Sequence, residues 1–370
     1  MVTETKVRQI ATLKTQELVR AVEKVNLIKP TRQPPSLVNV LAQFSPGKVK
    51  LTTSDLERII QVTLDCDCVT EFSALLPRRR LATFLKGDDG NISIEVKGQS
   101  AIIEREGIGQ FKIDHTTLVE DFPPILQYEV STWQSIDAEY LRRMLPIALM
   151  AISKWGRPVL AGGCCQDGCM ASADGFRLVV IQNERLTFGT QKQVIIPGET
   201  LAIVKKLFAK DAAIEIGIPS DRTIIFKAGS VEMVSQLIQG TYPNYQQLIP
   251  PSFLCKVSFS APLMAQRLNM MDDNALNGGI ARYEFAMTEK GEHECHISGG
   301  NEVEGQYSVR MPVKLDTGAG KIAFSKKYIQ DVIKFFSVCS LAFTSTASPG
   351  KFTGDLEGVT IVVMPMFVQW

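Results

Sequence analysis

The residues best equipped for chemistry in this 370-residue chain are its eight cysteines and three histidines, and their spacing limits what they can do. Cys164, Cys165 and Cys169 cluster, but no Cys-x-x-Cys pair or neighbouring histidine completes a zinc set. Cys66 and Cys68 alternate in a strand-like run. His293-Glu294-Cys295-His296 has the ligand types a metal needs, yet strand alternation puts His293 and Cys295 on one face and His296 on the other. Reduced, partly buried thiols are the expectation. Gly318-Ala319-Gly320-Lys321 has part of a phosphate-loop pattern, but Leu315 stands where that loop needs glycine and Ile322 where it needs Ser or Thr. No Gly-x-Ser-x-Gly elbow is present, His115 stands alone, and Asp272-Asp273 are neighbours in a polar loop. A metal- or thiol-dependent enzyme built on the Cys164 cluster or on residues 293–296 is the one catalytic alternative. Otherwise the chain reads as a binding or scaffolding protein, not an enzyme, with no catalytic residue, cofactor or metal.

A repeat of about 120 residues must position whatever this chain binds. Three segments of helical period open the copies: Leu18-Val19-Val22-Val25, Leu141-Leu145-Ile147-Leu149 and Leu263-Leu268-Met271. A second helical segment follows a proline or serine in each, after Leu76-Pro77, Ile196-Pro197 and Phe324-Ser325. Two copies carry an Asp-centred turn, Ser54-Asp55-Leu56-Glu57 and Ala173-Asp174-Gly175-Phe176, 119 residues apart. Phe122-Pro123, Tyr242-Pro243 and Met364-Pro365 close the copies, 120 and 122 residues apart. Solenoid repeats run 20–50 residues, so this period implies whole domains of one fold. We expect three, over 1–129, 130–252 and 253–370, on short proline-stiffened joints that form a rigid arc.

Between the helical segments the chain alternates or runs apolar as strands do, for instance at Ile60-Gln61-Val62-Thr63-Leu64, Thr223-Ile224-Ile225-Phe226 and Val359-Thr360-Ile361-Val362-Val363. Asp88-Asp89-Gly90-Asn91 is a hairpin signal. About two helices and many strands per copy predict an α+β fold with antiparallel sheets. No run of 18 apolar residues exists, and the polar N-terminus lacks an export core, so a soluble, cytoplasmic protein is expected. The net charge of +1 argues against a broad basic surface gripping nucleic acid, though not against a locally basic strip.

Three motifs in order resemble the bacterial DNA polymerase III beta subunit family, the sliding clamps. Ala171-Ser172-Ala173-Asp174-Gly175-Phe176-Arg177-Leu178 is similar to the family's Asp-Gly turn, Tyr242-Pro243-Asn244-Tyr245 to its aromatic-Pro step, and Val362-Val363-Met364-Pro365-Met366 to its ending. Ser54-Asp55-Leu56-Glu57 and Glu120-Asp121-Phe122-Pro123 are weaker echoes, and the likeness covers nearly the whole chain. It implies three repeated DNA-clamp domains, each with two helices packed on antiparallel sheets, and a head-to-tail homodimeric ring around double-stranded DNA. Such a ring tethers the replicative polymerase alpha subunit as a processivity factor. The clamp loader, repair polymerases, a mismatch-repair protein and ligase are the other partners implied, and the location is nucleoid-associated. The alternative reading is a specialised clamp paralogue acting as a protein-interaction or resistance factor.

The resemblance also implies residues. Arg20, Arg32, Arg79, Lys86, Arg142, Lys154 and Arg157 fall where the family contacts DNA, among a wider set of helix cations that includes Arg78, Lys205, Lys206 and Lys326. Pro158, Val159 and Glu199 depart from the family pattern there, the first two replacing aromatic residues. The partner-peptide groove is implied at Leu160, Ala173, Gly175, Phe176, Arg177, Leu178, Pro243, Gln247, Leu248, Val362, Met364, Pro365 and Met366, with Ser325 and Tyr328 nearby. Flexible methionines suit a pocket that repacks around several ligands. Gln247 departs from a frequent arginine, and residues 367–370 prolong the terminus; Trp370 is expected to pack on the groove rim and alter peptide choice. Phe111 and residues 271–279 are the expected dimer contacts.

Overall fold

The computed structural model describes residues 9–29, 33–87, 89–98, 100–114, 118–272, 276–301 and 305–370. In the first third β1 (Gln9–Lys14) runs into α1 (Thr15–Val25). Next come β2 (Asn39–Ser45), β3 (Lys48–Ser54), β4 (Arg58–Asp65), β5 (Asp67–Cys68) and β6 (Phe72–Pro77). Then α2 (Arg78–Phe84) leads to β7 (Asn91–Lys97), β8 (Ser100–Arg105) and β9 (Gly109–Asp114). The second third has β10 (Gln134–Asp137), α3 (Ala138–Met150), β11 (Gly162–Gln166), β12 (Cys169–Ala173) and β13 (Arg177–Gln182). It continues through β14 (Val194–Pro197), α4 (Gly198–Leu207), β15 (Ala213–Ser220), β16 (Thr223–Ala228) and β17 (Val231–Gln236). The last third has β18 (Cys255–Ser260), α5 (Ala261–Asn269), β19 (Ile280–Met287), β20 (His293–Asn301) and β21 (Gly305–Pro312). After β22 (Lys314–Thr317) and β23 (Gly320–Ser325), α6 (Lys326–Ile333) precedes β24 (Val338–Phe343), β25 (Gly350–Gly354) and β26 (Val359–Val363).

The chain forms two compact units. One comprises the stretch ending at Glu139 together with Glu199–Leu237; the other comprises Tyr140–Gly198 and Ile238–Trp370. Each unit holds two antiparallel sheets. The first has β10-β15-β16-β17-β4-β3-β2-β6 and β5-β1-β7-β8-β9. The second has β14-β11-β12-β13-β26-β25-β24-β18-β22 and β21-β20-β19-β23. In each, a strand from one third of the sequence pairs with a strand from the next. Val234 stands opposite Ile59 where β17 meets β4, and Val362 opposite Leu178 where β26 meets β13. The fold is α+β: helices α2, α4 and α6 start directly after Pro77, Pro197 and Ser325, the last residues of β6, β14 and β23.

The helices are held by one apolar stripe each. On α1, Leu18, Ala21, Val22 and Val25 are buried; on α6, Ile329, Val332 and Ile333 are. The first residue of α2 and of α6 does a further task. Arg78, only 3 % exposed, donates from Nε to Asn26 Oδ1 (2.9 Å) and from Nη2 to the carbonyls of Val25 (3.1 Å) and Ile28. Lys326, 4 % exposed, donates from Nζ to the Met271 carbonyl. Both satisfy carbonyls left open where α1 and α5 end. Arg78 and Lys326 are therefore structural cations, unlike the exposed helix cations with which the sequence groups them. Burial lowers the Arg78 guanidinium to about 10, against a smaller pull upward from Asp55. At the matching position of α4 stands Gly198, where a Cβ would lie 2.8 Å from the Ile152 side chain.

Residues 89–91 do not form a hairpin: they connect α2 to β7, and the Gly90 carbonyl accepts from the Thr15 N–H (2.9 Å). Gly90 has φ of +151°, so the signal marks a turn between unlike elements.

Candidate functional site

The Asp-centred turn is built twice. Asp174 Oδ1 accepts from the N–H groups of Phe176 (3.0 Å) and Arg177 (2.9 Å), and its Oδ2 accepts from Arg177 Nε (2.9 Å). Asp55 accepts in the same way from the N–H groups of Glu57 (3.1 Å) and Arg58 (2.7 Å) and from Arg58 Nε (2.9 Å). The positive φ falls on the intervening residue, +91° at Gly175 and +76° at Leu56. Each arginine reaches a carboxylate on the second helix of the following third of the sequence: Arg177 to Asp331 on α6 (2.8 Å) and Arg58 to Glu199 on α4 (2.9 Å). The facing strand then locks each turn, Met364 N–H to the Phe176 carbonyl (2.8 Å) and Gln236 N–H to the Glu57 carbonyl (2.9 Å).

Around the second turn the side chains make an apolar site inside one compact unit. Its floor is a buried cluster of Cys164, Cys169, Ala171, Leu178, Val180, Ile195, Tyr242, Tyr245 and Val362, against which Leu160 and Ala173 pack half-buried. Tyr242 and Tyr245 meet edge to face at 6.3 Å, which orients the 3-10 turn Tyr245–Leu248 carrying Gln247 and Leu248. Three apolar side chains stay exposed: Phe176 at 57 %, Leu248 at 48 % and Met364 at 40 %. Tyr328 of α6 stands 6.1 Å from the Phe176 ring, with the Arg177 guanidinium 4.6 Å above its own ring. Pro243 and Ser325 are half-buried, Gln247 is exposed, and Pro365 is buried behind Met364. Met366 N–H bonds to the Ala323 carbonyl (2.8 Å), fixing the tail along β23. Apolar side chains left exposed on a hydrogen-bonded frame suit an extended peptide with apolar anchors.

The charges here are structural. Burial works against the charge on Arg177, but its ion pairs with Asp331 and Asp174 outweigh it and hold the guanidinium above its ordinary value. Burial would raise Asp331; the hydrogen bonds from Arg177 and Lys334 prevail and keep its carboxyl below the usual range. Asp331 has no signal in the sequence, since it lies 154 residues from the arginine it holds.

Burial disfavours the thiolate at several of the cysteines. Burial pushes the Cys164 thiol up to about 12, raises Cys66 and Cys255 to about 11, and lifts Cys165 and Cys295 well above their ordinary value. All eight thiols are free. Cys295 is buried, His293 Nδ1 accepts from the Leu315 N–H (3.1 Å), and His296 Nε2 bonds Ser308 Oγ (2.8 Å). Among the described residues no group of three or more His, Cys, Asp or Glu could hold a metal, and no helix is long and apolar enough to cross a membrane.

The cations fall into two groups. Arg20 on α1, Arg79 on α2 and Lys86 after α2 are exposed in the first unit. In the second, Lys154 and Arg157 are exposed after α3 and Arg142 is half-buried on it. Arg32 and His115 lie outside the described residues, as does Asp273. Between Lys154 and Arg157 stands Trp155, 89 % exposed, an aromatic the sequence reading passes over. Trp370 does not sit on the groove rim. The bond at Met366 directs the tail over the four-stranded sheet, where Trp370 lies 5.9 Å from Lys321 Nζ and borders a cavity with Arg282, His296 and Tyr307.

Comparison with known proteins agrees with this geometry. The family model for the DNA polymerase III beta subunit N-terminal domain matches residues 11–127, and that for its central domain matches 164–244. The beta sliding clamp of Staphylococcus aureus (strain Mu50) is 25 % identical, over 93 % of this chain and 95 % of that protein. The beta sliding clamp of Staphylococcus epidermidis is 26 % identical over the same shares. Among solved structures, the Bacillus subtilis DNA polymerase sliding clamp superposes with a TM-score of 0.89 at 21 % identity, covering 98 % of this chain and all of that one. A Bartonella birtlesii sliding clamp bound to griselimycin gives 0.89 at 20 % identity, also covering 98 % of this chain and all of that one. With two matched domains in order, the same fold end to end and the Asp-Gly turn in place, the chain belongs to the DNA polymerase III beta subunit family, the bacterial beta sliding clamps.

Proposed function

We propose that two copies of this chain close head to tail into a ring that encircles duplex DNA, and that the apolar site around Phe176, Leu248 and Met364 tethers the replicative polymerase to it. One observation carries the ring. The same antiparallel join occurs at β4–β17 and at β13–β26, while the corresponding strands β21 and β9 end their own sheets, each with one side that meets no other strand among the described residues. An open edge presents unpaired N–H and C=O groups and favours pairing with another strand. β9 of one copy against β21 of another repeats the join a third time and closes two chains on each other. Phe111 on β9 lies in that edge, 5.7 Å from Phe84. Three domains, bounded near 129 and 252, are the units of this ring. Continuous sheets across both internal joins account for the middle third being shared between the two compact units.

Encirclement explains the charge. A protein held on DNA by topology needs only weak phosphate contacts, and many strong ones would add affinity and salt dependence and oppose sliding. Arg20, Arg79, Lys86, Arg142, Lys154 and Arg157 are the contacts we assign, with Arg32 carried from the family pattern. The peptide site is the tether. Fully covering a side chain of the size of Phe176 or Met364 is worth about 1.5–3 kcal/mol, enough for a modest, exchangeable affinity when two or three are engaged. Partners beyond the polymerase alpha subunit are the clamp loader, repair polymerases, a mismatch-repair protein and ligase. The protein performs no reaction of its own.

The test is retention on DNA. The protein loaded by its clamp loader on nicked circular plasmid is expected to persist, and to be lost on linearisation. Equal loss from circular and linear DNA sinks the ring. A partner's clamp-binding peptide is expected to bind the wild-type chain and to lose at least about tenfold in affinity with Met364→Arg. An unchanged Kd removes the tether from this site.

A further inference from the structure

The duplicated turn gathers a second set of side chains. At the spacing of the two turns and the two aromatic-Pro steps, Ile59, Phe122, Pro123 and Val234 stand where the apolar site has Leu178, Tyr242, Pro243 and Val362. These four line a cavity of about 100 Å³ beside the Asp55 turn, wholly within the first compact unit. An apolar cavity of about 150 Å³ takes a benzene ring, so this one has room for a single aliphatic side chain. Leu56 and Leu126 stay exposed at its border, next to Tyr128, which takes the place of Leu248.

We infer that this cavity is a second peptide-docking site, which takes one aliphatic anchor with an adjacent lysine or arginine from an extended basic segment of a partner protein. The inference rests on the peptide-binding reading of the first site, whose frame and floor it shares. Two independent observations carry it further. The first is Leu56. Among the described residues it is the one position other than glycine with a positive φ, +76°, and its counterpart in the first site is Gly175. A leucine is strained there where glycine is not, so the side chain is kept at this border against a local cost. It is also held in place: its N–H donates to Ser54 Oγ (3.0 Å), and its carbonyl accepts from Gln236 Nε2 (3.1 Å).

The second observation is charge. Glu57 stands where the first site has Phe176, and it is the one charged side chain that lines the cavity. Arg58 does not cancel it. The same guanidinium lies 2.9 Å from Asp55, 2.9 Å from Glu199 and 3.6 Å from Glu57, so one cation meets three carboxylates. Residues 118–133, which supply Pro123, Leu126 and Tyr128, add Glu120, Asp121 and Glu129 and contain no lysine or arginine. Arg222, next to the bordering Thr223, is the cation set against them. A peptide that seats a leucine between Leu56 and Leu126 brings a neighbouring ammonium to Glu57, and an apolar body with a charged rim gives both affinity and register. The site at Met364 has an apolar rim, whereas this one selects basic segments, so one chain holds two different partners at once.

The experiment uses the full-length protein and a fluorescein-labelled peptide, Gly-Lys-Leu-Lys-Gly, followed by fluorescence anisotropy, with Gly-Lys-Ser-Lys-Gly as the anchor-free probe. Saturable binding of the leucine peptide is expected for the wild type and for Met364→Arg. Glu57→Lys is expected to weaken it about tenfold. Leu56→Gly is expected to weaken it about fivefold while the unfolding midpoint rises, a split that a purely structural leucine would not give. No saturable binding to the wild type overturns the inference. Equal affinity for the serine peptide does so too, since charge alone then attracts the probe. So does loss of binding in Met364→Arg, which places the peptide in the other site, and so does an unchanged Kd in Glu57→Lys or in Leu56→Gly. The polymerase tether is tested on a different peptide, so failure here leaves that reading to its own experiment.

Discussion

Arg177 shows how one side chain can set a whole rim. It bridges Asp174 and Asp331 and lies over Tyr328, which in turn faces Phe176. Arg177→Ala leaves two half-buried carboxylates without their donor, and we expect a loss of about 2 kcal/mol in stability with weaker peptide binding, read by denaturant unfolding and by titration. Asp331 supplies the pH dependence. Its folded pKa lies below the unfolded value of about 3.9, so its contribution is complete above that pH and is lost as the pH falls through the folded pKa. Asp331→Asn is therefore expected to flatten the acid limb of the stability profile below about pH 4. Positive φ gives a paired expectation at Gly175 and Leu56: Leu56→Gly should raise stability by up to about 1 kcal/mol, while Gly175→Ala should lower it by a similar amount. Gly175 and Arg177 were legible in the sequence because the Asp-Gly-Phe-Arg motif is local. Asp331 was not, because nothing local links a helix residue to a turn 154 positions away.

At the scale of elements, the six α-helices of the described residues and most strands follow from apolar period and from proline. Sequence and structure part where two roles share one residue type. Arg78 stands beside Arg79 and Arg80, and sequence alone offers no reason to separate a buried cap from exposed cations. Only the end of α1, brought against α2, makes the distinction. We expect Arg78→Ala to cost about 3 kcal/mol, since it orphans two buried carbonyls and the Asn26 amide oxygen, with Arg78→Lys milder because Lys326 performs the matching task in the last third. Equal unfolding midpoints for Arg78→Ala and Arg79→Ala would remove the capping role. The 88–91 signal illustrates the complementary error: Asp-Gly promises a turn, but what the turn joins depends on the next element.

For the whole molecule, the proposed ring closes through β9 and β21, each of which ends its sheet among the described residues. A charge placed in such an edge opposes pairing, so Phe111→Asp is expected to shift the solution mass from two chains towards one and to abolish retention on nicked circular DNA. A mass that stays at two chains would assign the interface elsewhere. Trp155 provides a local report on the same assembly. With 89 % of its surface open between Lys154 and Arg157, its fluorescence is expected to be quenched when duplex DNA occupies the ring, and Trp155→Ala to shorten retention without changing mass. These two variants separate failure to close from failure to hold.

The amino-acid order alone determined the α+β character, the repeat of about 120 residues and the motifs that mark the family, because periodicity, turn chemistry and short motifs are written in neighbouring residues. It could not place Trp370, distinguish Arg78 from its neighbours, supply Asp331 or reveal the cavity beside Asp55. Those depend on contacts between residues far apart in the chain, whose energy arises only when sheets and helices have packed and excluded water. The tertiary structure decided them, most plainly where two Asp turns of the same hydrogen bonding acquired different surroundings.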